Sequence, residues 1–95
     1  MEIVRFEWDK LKDLENQVKH GMSFHRATLA FYDPQRVIAE DRAHSRTEPR
    51  FFCYGRVGEG VATVRFTIRR TRIRVIGAGY WRAGREIYEK ENRLH

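Results

Sequence analysis

The sequence predicts an α+β fold, with two N-terminal helices, a largely antiparallel sheet of four or five strands and a C-terminal helix. Apolar residues recur with a helical period near the N-terminus, whereas from about residue 36 they alternate with polar residues as in half-buried strands. A helical pattern returns near the C-terminus. The 95 residues are enough for one compact domain spanning residues 1–95.

Three helices are predicted from caps and periodicity. Asp9 is a suitable N-cap for the first helix, which ends at Gly21. Its apolar residues follow the i, i+3, i+7 spacing of an amphipathic helix: Leu11, Leu14 and Val18. Ser23 can cap a second, short helix that ends at Asp33-Pro34. A third helix is predicted from about Arg82 to Arg93.

Five segments have strand character: Ile3–Phe6, Arg36–Glu40, Arg50–Val57, Val61–Arg69 and Arg72–Ala78. A hairpin turn centred on Glu59-Gly60 predicts four facing pairs: Val57 with Ala62, Gly55 with Val64, Cys53 with Phe66, and Phe51 with Ile68. A second turn centred on Arg70-Thr71 adds two more: Ile68 with Ile73, and Phe66 with Val75. Both turns place small or apolar side chains on the same side, which predicts a meander with one buried face.

The opposite face of this meander interleaves arginines with aromatic residues. It comprises Phe52, Tyr54, Arg56, Thr63, Arg65, Thr67, Arg69, Arg72, Arg74 and Ile76. In the predicted register Tyr54 lies across from Arg65, and Arg74 lies across from Thr67. Arginines that pair with phosphates, beside aromatic rings that stack on bases, are typical of single-stranded RNA sites. A solvated sheet face with ordinary edge protection is the other interpretation.

The positive charge lies in the second half of the chain. Residues 1–50 contain nine basic and nine acidic residues, whereas residues 51–95 contain ten and four, which accounts for the net charge of +6. Residues 56–85 hold eight arginines, no lysine and one acid, Glu59. Because the planar guanidinium pairs well with phosphate, this asymmetry favours a polyanionic partner, although a solubilising surface explains it too.

Composition argues against several classes of protein. The single Cys53 excludes an internal disulfide and a multi-cysteine metal site, and it favours a reducing compartment. The first residues lack the apolar core of a signal peptide, and no apolar run approaches the roughly 18 residues of a membrane span. The histidines show no ligand spacing: His20, His25, His44 and His95. We expect a cytoplasmic protein without membrane contact, metal or cofactor.

An ordered set of motifs extends from residue 6 to residue 89. Its N-terminal part consists of Phe6-Glu7-Trp8-Asp9, Lys12, Asn16, Lys19-His20-Gly21, Ser23-Phe24, Ala27 and Asp33-Pro34. Its central part is Asp41-x-x-His44-Ser45-x-x-Glu48-x-Arg50, followed by Gly55. Its C-terminal part runs from Ile73 to Arg82 and is followed by Tyr88-Glu89. Together these motifs resemble the BrnT toxin family, with one departure at Gly79, where many relatives carry an arginine that Arg82 can replace.

The resemblance implies a RelE-like fold and a ribonuclease that halts translation. It also implies a cognate BrnA antitoxin with a DNA-binding domain, in a hetero-oligomer that represses its own operon. Operator DNA is then contacted only through the antitoxin, and RNA is the substrate. RelE-like enzymes often assemble their catalytic groups from Arg, Lys, Tyr, His and Glu side chains instead of a fixed triad.

Metal-free RNA cleavage needs a base for the 2′-hydroxyl, a cation for the phosphorane and an acid for the leaving 5′-oxygen. Arg65 and Arg74 are the first candidates for the cation, because they lie close together on the polar face, and Arg82 is the third. Positioning of a phosphate without any effect on rate is the other role open to them. For proton transfer the candidates are His44 and Glu48 in a polar loop, where bracing of the turn is the other interpretation.

Lys19 and His20 match the family pattern as further catalytic candidates, but a basic pair before a C-cap glycine is also explained by helix termination. RNA contacts outside the chemistry are predicted for six residues: Tyr54, Arg56, Arg69, Arg72, Tyr80 and Trp81. Trp8 and Phe24 can stack on bases, although packing explains them as well.

Two other functions stay open. The chain can be a non-catalytic module that holds RNA or an antitoxin through the arginine face, with steep salt dependence and tolerance of His44→Ala. It can also be an interaction subunit whose apolar rim, around Ile76 and Tyr80, docks a partner helix. Salt-insensitive binding to protein but not to RNA would indicate that third function.

Overall fold

The computed structural model describes residues 4–93 and confirms the α+β class, with three α-helices and one five-stranded sheet in that range. The strands are β1 (Arg5–Glu7), β2 (Val37–Glu40), β3 (Arg50–Val57), β4 (Gly60–Arg69) and β5 (Arg72–Tyr80), in the sheet order β1-β5-β4-β3-β2. The helices are α1 (Lys10–His20), α2 (Phe24–Ala27) and α3 (Arg82–Glu91). Two short 3-10 turns cover Thr28–Tyr32, directly after α2, and Arg42–His44.

The sheet is mixed, which corrects the prediction of a largely antiparallel one. Strands β2 to β5 are antiparallel neighbours, but β1 pairs with β5 in parallel, with Phe6 opposite Ile73. Parallel strands are joined by long connections, so no turn motif in the sequence indicates their relative direction. Ile3, which was predicted to begin the first strand, lies outside the described residues.

The hairpin between β3 and β4 differs from the predicted register by two residues. The observed pairs are Gly55 with Ala62, Cys53 with Val64, and Phe51 with Phe66. The turn lies at Gly58-Glu59, one residue earlier than predicted, because Gly58 adopts a φ of +62° that glycine tolerates well. A two-residue shift leaves every side chain on its predicted face, but it places Phe52 instead of Tyr54 opposite Arg65.

The hairpin between β4 and β5 has the predicted register. Three pairs confirm it: Phe66 with Val75, Thr67 with Arg74, and Ile68 with Ile73. Beyond these pairs a β-bulge interrupts the ladder, because Arg65 pairs with Gly77 and leaves Ile76 as an extra residue in β5. A bulge bends its strand, so β5 changes direction beside Arg65.

One face of the sheet, here called the packed face, is closed by α2 and the 3-10 turn that follows it. Its buried core consists of Met22, Phe24, Ala27, Ala30, Cys53, Val57, Ala62, Val64, Phe66, Val75 and Ala78. Trp8 packs edge-on against Phe24 with ring centroids 6.4 Å apart, which favours a packing role for both residues. Burial raises the pKa of the Cys53 thiol to about 12, so this thiol is protonated at neutral pH.

The opposite face, here called the groove face, is covered by α3 at one end. Tyr88 of α3 is fully buried there in a second apolar cluster with Tyr54 and Val61. Gly84 allows this close approach, since a Cβ at that position would collide with the Thr63 hydroxyl. The cover corrects the prediction of an exposed polar face, because Tyr54 and Thr63 are buried against α3. Thr67, farther along β4, is buried as well, and its hydroxyl donates to the Pro49 carbonyl at 2.6 Å.

Helix α3 is also fixed by a hydrogen-bond network around the half-buried Asp33. The Tyr88 hydroxyl donates to Asp33 Oδ2 at 2.7 Å, and the Arg56 backbone N–H donates to the same oxygen at 2.8 Å. The Gln35 N–H donates to Asp33 Oδ1 at 2.9 Å. Burial by itself would raise the pKa of Asp33, but these hydrogen bonds together lower it. Burial and the bond to Asp33 raise the pKa of Tyr88, so its hydroxyl is a donor at neutral pH.

Helix α1 is attached to the sheet by a polar residue. The buried Asn16 side chain donates to the carbonyls of Met22 and Ala78, both at 2.8 Å, and accepts from the Ala78 N–H at 3.2 Å. The apolar stripe of this helix faces solvent instead of the core: Leu11, Leu14 and Val18 are 69%, 58% and 87% exposed. None of the helices in residues 4–93 has the length and apolar character to cross a membrane.

Candidate active-site groove

A groove of about 590 Å³ lies on the groove face between α1, β5 and α3. Five of the residues predicted for a site line it: Lys19, His20, Tyr54, Arg65 and Trp81. The bulge in β5 contributes Ile76 and Gly77 to the wall, and α3 contributes Gly84 and Ile87. The fold therefore brings together residues from α1, the central strands and the start of α3 that are far apart in the sequence.

Helix α1 supplies the basic side of the groove. Lys12 and Lys19 are seven residues apart and so lie on the same side of the helix, and His20 is its last residue. All three residues are exposed. The negative end of the helix dipole favours the cations in the last turn. Sequence reasoning missed Lys12 as a groove residue, although its seven-residue spacing from Lys19 was a usable signal.

Trp81 forms the wall that faces α1. Its indole is 44% exposed and lies edge-on to the His20 ring, with centroids 5.0 Å apart. Gly79 makes room for it, since a Cβ at this position would lie 2.7 Å from Trp81 Cη2. The departure from the family pattern at Gly79 thus has a structural consequence, because the Trp81 ring occupies the space that a side chain would need.

Arg65 enters the groove from β4, beside the bulge, and is held there by Asp41. The Arg65 Nε lies 3.4 Å from Asp41 Oδ2, and the guanidinium carbon lies 5.6 Å from the centroid of the Phe52 ring. The contact with Asp41 is an ion pair and not a hydrogen bond, since the buried Nε has no hydrogen-bond partner in the part of the chain that the structure describes. The same carboxylate oxygen is 2.9 Å from His44 Nδ1. Asp41 is only 5% exposed, whereas Arg65 is partly exposed and His44 is half-exposed. One buried carboxylate therefore contacts both side chains.

Sequence reasoning named Asp41 only as the first residue of a family motif. Its link to His44 follows from a spacing of three residues, as in a 3-10 turn. Its link to Arg65 depends on how β4 pairs within the sheet, which no local pattern indicates.

Tyr54 lies at the base of the groove, and its ring is buried instead of exposed. It is 5% exposed and stacks on Phe52 with centroids 5.7 Å apart and an interplanar angle of 25°. Burial, and then the charge of Asp41, raise the pKa of the Tyr54 hydroxyl. This hydroxyl is therefore protonated at neutral pH, and the ring is inaccessible for stacking on a base.

Several predicted site residues form ion pairs outside the groove. Four arginines share two carboxylates: Arg72 and Arg74 pair with Glu7, and Arg50 and Arg69 pair with Glu48. The shortest pair joins Arg74 Nη1 to Glu7 Oε2 at 2.7 Å. Arg74 and Glu48 were candidates for catalysis, but both form ion pairs with other side chains, and neither lines the groove.

Two further predicted residues, Tyr80 and Arg82, lie next to Trp81 outside the groove. A second depression of about 810 Å³ there is lined by residues that include Arg26, Tyr80, Arg82 and Arg85. The Tyr80 hydroxyl donates to the Val57 carbonyl at 2.7 Å, and the Arg56 guanidinium lies over the Tyr88 ring at 5.4 Å. Arg82, the residue proposed to replace an arginine at position 79, therefore points to a different depression from Arg65.

The chemistry available in the groove is that of organic cations and an aromatic ring. Four basic side chains and one acid, Glu15, surround a cavity whose wall includes an exposed indole. Within residues 4–93 no group of three or more His, Cys, Asp or Glu side chains is arranged to hold a metal ion. Such an arrangement suits a phosphodiester with an adjacent base, because guanidinium and ammonium groups pair with phosphate and indole stacks on bases.

Comparison with known proteins agrees with this chemistry. A family model described as "Ribonuclease toxin, BrnT, of type II toxin-antitoxin system" matches residues 8–84. No curated protein is similar enough to the chain to count as a match. The matched range includes α1, all of β2 to β5 and the start of α3, and so contains the residues that line the groove except Ile87. The chain therefore belongs to the BrnT family of ribonuclease toxins of type II toxin–antitoxin systems.

Proposed function

We propose that this toxin cleaves RNA in the groove between α1, β5 and α3, without a metal ion, and that this cleavage inhibits translation in the cytoplasm. The observation that carries the proposal is the convergence of Lys19, His20 and Arg65 on one groove beside the exposed Trp81. A BrnA-like antitoxin with a DNA-binding domain neutralises the toxin in a hetero-oligomer and links it to operator DNA.

The reaction is an attack of the 2′-hydroxyl on the adjacent phosphate. A base takes the 2′-hydroxyl proton, the bond from the 2′-oxygen to phosphorus forms, and the bond from phosphorus to the 5′-oxygen breaks. An acid then protonates the leaving 5′-oxygen, so the products are a 2′,3′-cyclic phosphate and a 5′-hydroxyl. The pentacovalent intermediate carries extra negative charge, and this is the charge that a fixed cation stabilises.

Arg65 is the cation in this proposal. Its guanidinium enters the groove and is anchored by the Asp41 carboxylate at 3.4 Å and by the Phe52 ring. An anchored donor needs little reorganisation when charge develops on the phosphate, which is why preorganised cations accelerate such reactions. Lys19 adds positive charge on the opposite wall.

His20 and His44 are the groups to which we assign proton transfer. His20 lines the groove, and an imidazole can accept or donate a proton near neutral pH. His44 binds Asp41 through Nδ1, which leaves Nε2 free to exchange a proton with RNA that lies over Arg65. Glu48 has no part in this assignment, because it pairs with Arg50 and Arg69.

Binding of the RNA strand is assigned to Trp81 and to the arginines at the end of the sheet. The exposed Trp81 ring can stack on a base next to the scissile phosphate. Arg69, Arg70 and Arg72 are exposed around the β4–β5 turn and can pair with phosphates farther along the strand. Arg69 and Arg72 also contact Glu48 at 3.4 Å and Glu7 at 3.9 Å, so a phosphate would compete with these carboxylates.

The proposal is tested with purified wild-type toxin and a single-stranded RNA oligonucleotide in the presence of excess EDTA. We expect cleavage products that end in a 2′,3′-cyclic phosphate and a 5′-hydroxyl. A matched oligonucleotide with 2′-deoxyribose at the cleaved position should stay intact, because it lacks the nucleophile. Cleavage of the deoxy-substituted strand at that position, or activity only after Mg²⁺ is added, would contradict the proposed reaction.

The exposed arginines at the β4–β5 turn favour one other function, which is RNA binding without cleavage. Arg69, Arg70 and Arg72 lie outside the groove, so they can hold RNA whether or not the groove is active. A purely binding protein would lose affinity steeply as salt is raised, would leave the oligonucleotide intact, and would tolerate Arg65→Ala.

A further inference from the structure

The solvent-facing side of α1 has features of a binding surface. Leu11, Leu14 and Val18 are 69%, 58% and 87% exposed, and their i, i+3, i+7 spacing aligns them in one stripe, here called the α1 stripe. A single exposed leucine needs no explanation, but three aligned apolar residues on one short helix form a contiguous patch.

The fold does not depend on the α1 stripe. The opposite side of the helix makes the contacts with the sheet, through the three hydrogen bonds of Asn16. Asp13 fixes the start of α2 by accepting a hydrogen bond from the Phe24 N–H at 2.8 Å. Polar contacts therefore hold α1 in place, while its apolar residues remain available to a partner.

We propose that the α1 stripe docks an amphipathic helix of the antitoxin, and that this helix carries acidic residues beside its own apolar stripe. The i, i+3, i+7 spacing is the one by which two helices pack their apolar seams together. The family is defined as one half of a toxin–antitoxin pair, so a protein partner exists for the surface to bind.

The charges beside the stripe determine which occupant fits. Lys10, Lys12 and Lys19 lie on α1 with the stripe, and Glu15 is the one acid exposed on this helix. A second copy of the chain would bring these lysines against each other in a protein of net charge +6, which disfavours self-association. Acidic residues on a partner helix would instead pair with the lysines.

Docking at this surface also explains how binding would block the groove. Lys12, Lys19 and His20 of the same helix line the groove, so a helix bound to the α1 stripe lies along the groove rim. The rest of the antitoxin can then cover Arg65 and Trp81 from that side. This last step rests on the proposed function, whereas the docking itself does not.

The test measures the affinity of purified full-length toxin for its purified cognate antitoxin. The double variant Leu14→Gln/Val18→Gln removes the stripe, and Leu29→Gln/Ile68→Gln is the matched control, because Leu29 and Ile68 are 52% and 56% exposed elsewhere. We expect the stripe variant to bind on the order of 100-fold more weakly, and the control to bind like wild type. Lys10→Glu should weaken binding by about tenfold at low salt and less at high salt.

Thermal unfolding and RNA cleavage are also measured for each variant without antitoxin, so that folding and activity are assessed separately from affinity. Both double variants should unfold like wild type, since the altered residues are exposed. Equal antitoxin affinity for the stripe variant and the control would overturn the proposal. A wild-type dimer that dissociates in the stripe variant would also overturn it, in favour of a second copy. Absence of cleavage by every protein, with the affinity loss still present, would refute the proposed function and leave the docking site standing.

Discussion

The two faces of the sheet differ in how completely they are covered. The packed face is closed by α2 and the following 3-10 turn over a core of alanine, valine and phenylalanine. On the groove face α3 covers the end around Tyr54, and an open groove with charged walls lies next to it. The comparison indicates that the packed face supplies the stability of a small domain, which leaves the groove face free to hold charges that would be costly in a core.

The largest effect is expected on the packed face. Phe24 is fully buried, so Phe24→Ala should lower the free energy of unfolding by about 3–5 kcal/mol, through lost apolar contacts and an unfilled cavity. Urea unfolding of the variant and of Leu29→Ala, where the leucine is 52% exposed, gives the comparison. A loss as small as that of the control would show that the packed face does not dominate stability.

Substitution at Gly79 separates groove geometry from stability. A Cβ at Gly79 would meet the Trp81 ring at 2.7 Å, whereas a Cβ at Gly77 would have nothing within 4 Å. Gly79→Ala should therefore displace Trp81 and weaken RNA binding by about tenfold, the loss of one stacked base. Gly77→Ala is the control. Tryptophan fluorescence reports the displacement and fluorescence anisotropy the affinity, and equal affinities of the two variants would argue against stacking on Trp81.

A smaller effect is expected where α3 is fixed to the fold. Tyr88→Phe removes the 2.7 Å hydrogen bond to Asp33 while keeping the ring packed. We expect the free energy of unfolding to fall by about 1–2 kcal/mol, since Asp33 retains two backbone donors. Tyr32→Phe, at a residue 62% exposed, should have no measurable effect in the same assay. Equal values for the two variants would show that the network does not hold α3.

The Asp33 network should also appear in the pH dependence of stability. The pKa of Asp33 is lower in the folded state than its ordinary value of 3.8, so the folded state favours the charged form. This contribution to stability is complete above pH 3.8 and is lost as the pH falls below it, through the folded pKa. Asp33→Asn should therefore be less stable at neutral pH and flatter between about pH 4 and pH 2. An unchanged slope would place the acid sensitivity elsewhere.

The sequence predicted strands and faces better than long-range pairing. Alternation and turn residues indicated β3 and the register of the β4–β5 hairpin, because these depend on neighbouring residues. The parallel pairing of β1 with β5 depends on residues more than sixty positions apart, and no local motif encodes it. The exposure of the α1 stripe could not be predicted either. An amphipathic period normally indicates that the apolar side meets the core, whereas here the polar residue Asn16 attaches the helix to the sheet.

Prediction of the candidate site was limited in the same way. Lys19, His20, Arg65 and Trp81 could be named from charge, aromatic character and family pattern, and they all line the groove. Whether a given arginine is free or paired depends on which carboxylate the fold places beside it. Arg74 meets Glu7 from β1, and Arg65 meets Asp41 from the loop after β2, and neither contact can be read from spacing.

The most direct test of the account compares Arg65→Ala with Arg74→Ala in the metal-free cleavage assay. Both arginines lie on the groove face of neighbouring strands, but only Arg65 lines the groove, while Arg74 is paired with Glu7 at 2.7 Å. With folding verified by thermal unfolding, we expect Arg65→Ala to cleave about 100- to 1,000-fold more slowly and Arg74→Ala to cleave at close to the wild-type rate. Equal losses in the two variants, or a loss confined to Arg74→Ala, would contradict the assignment of the groove as the active site.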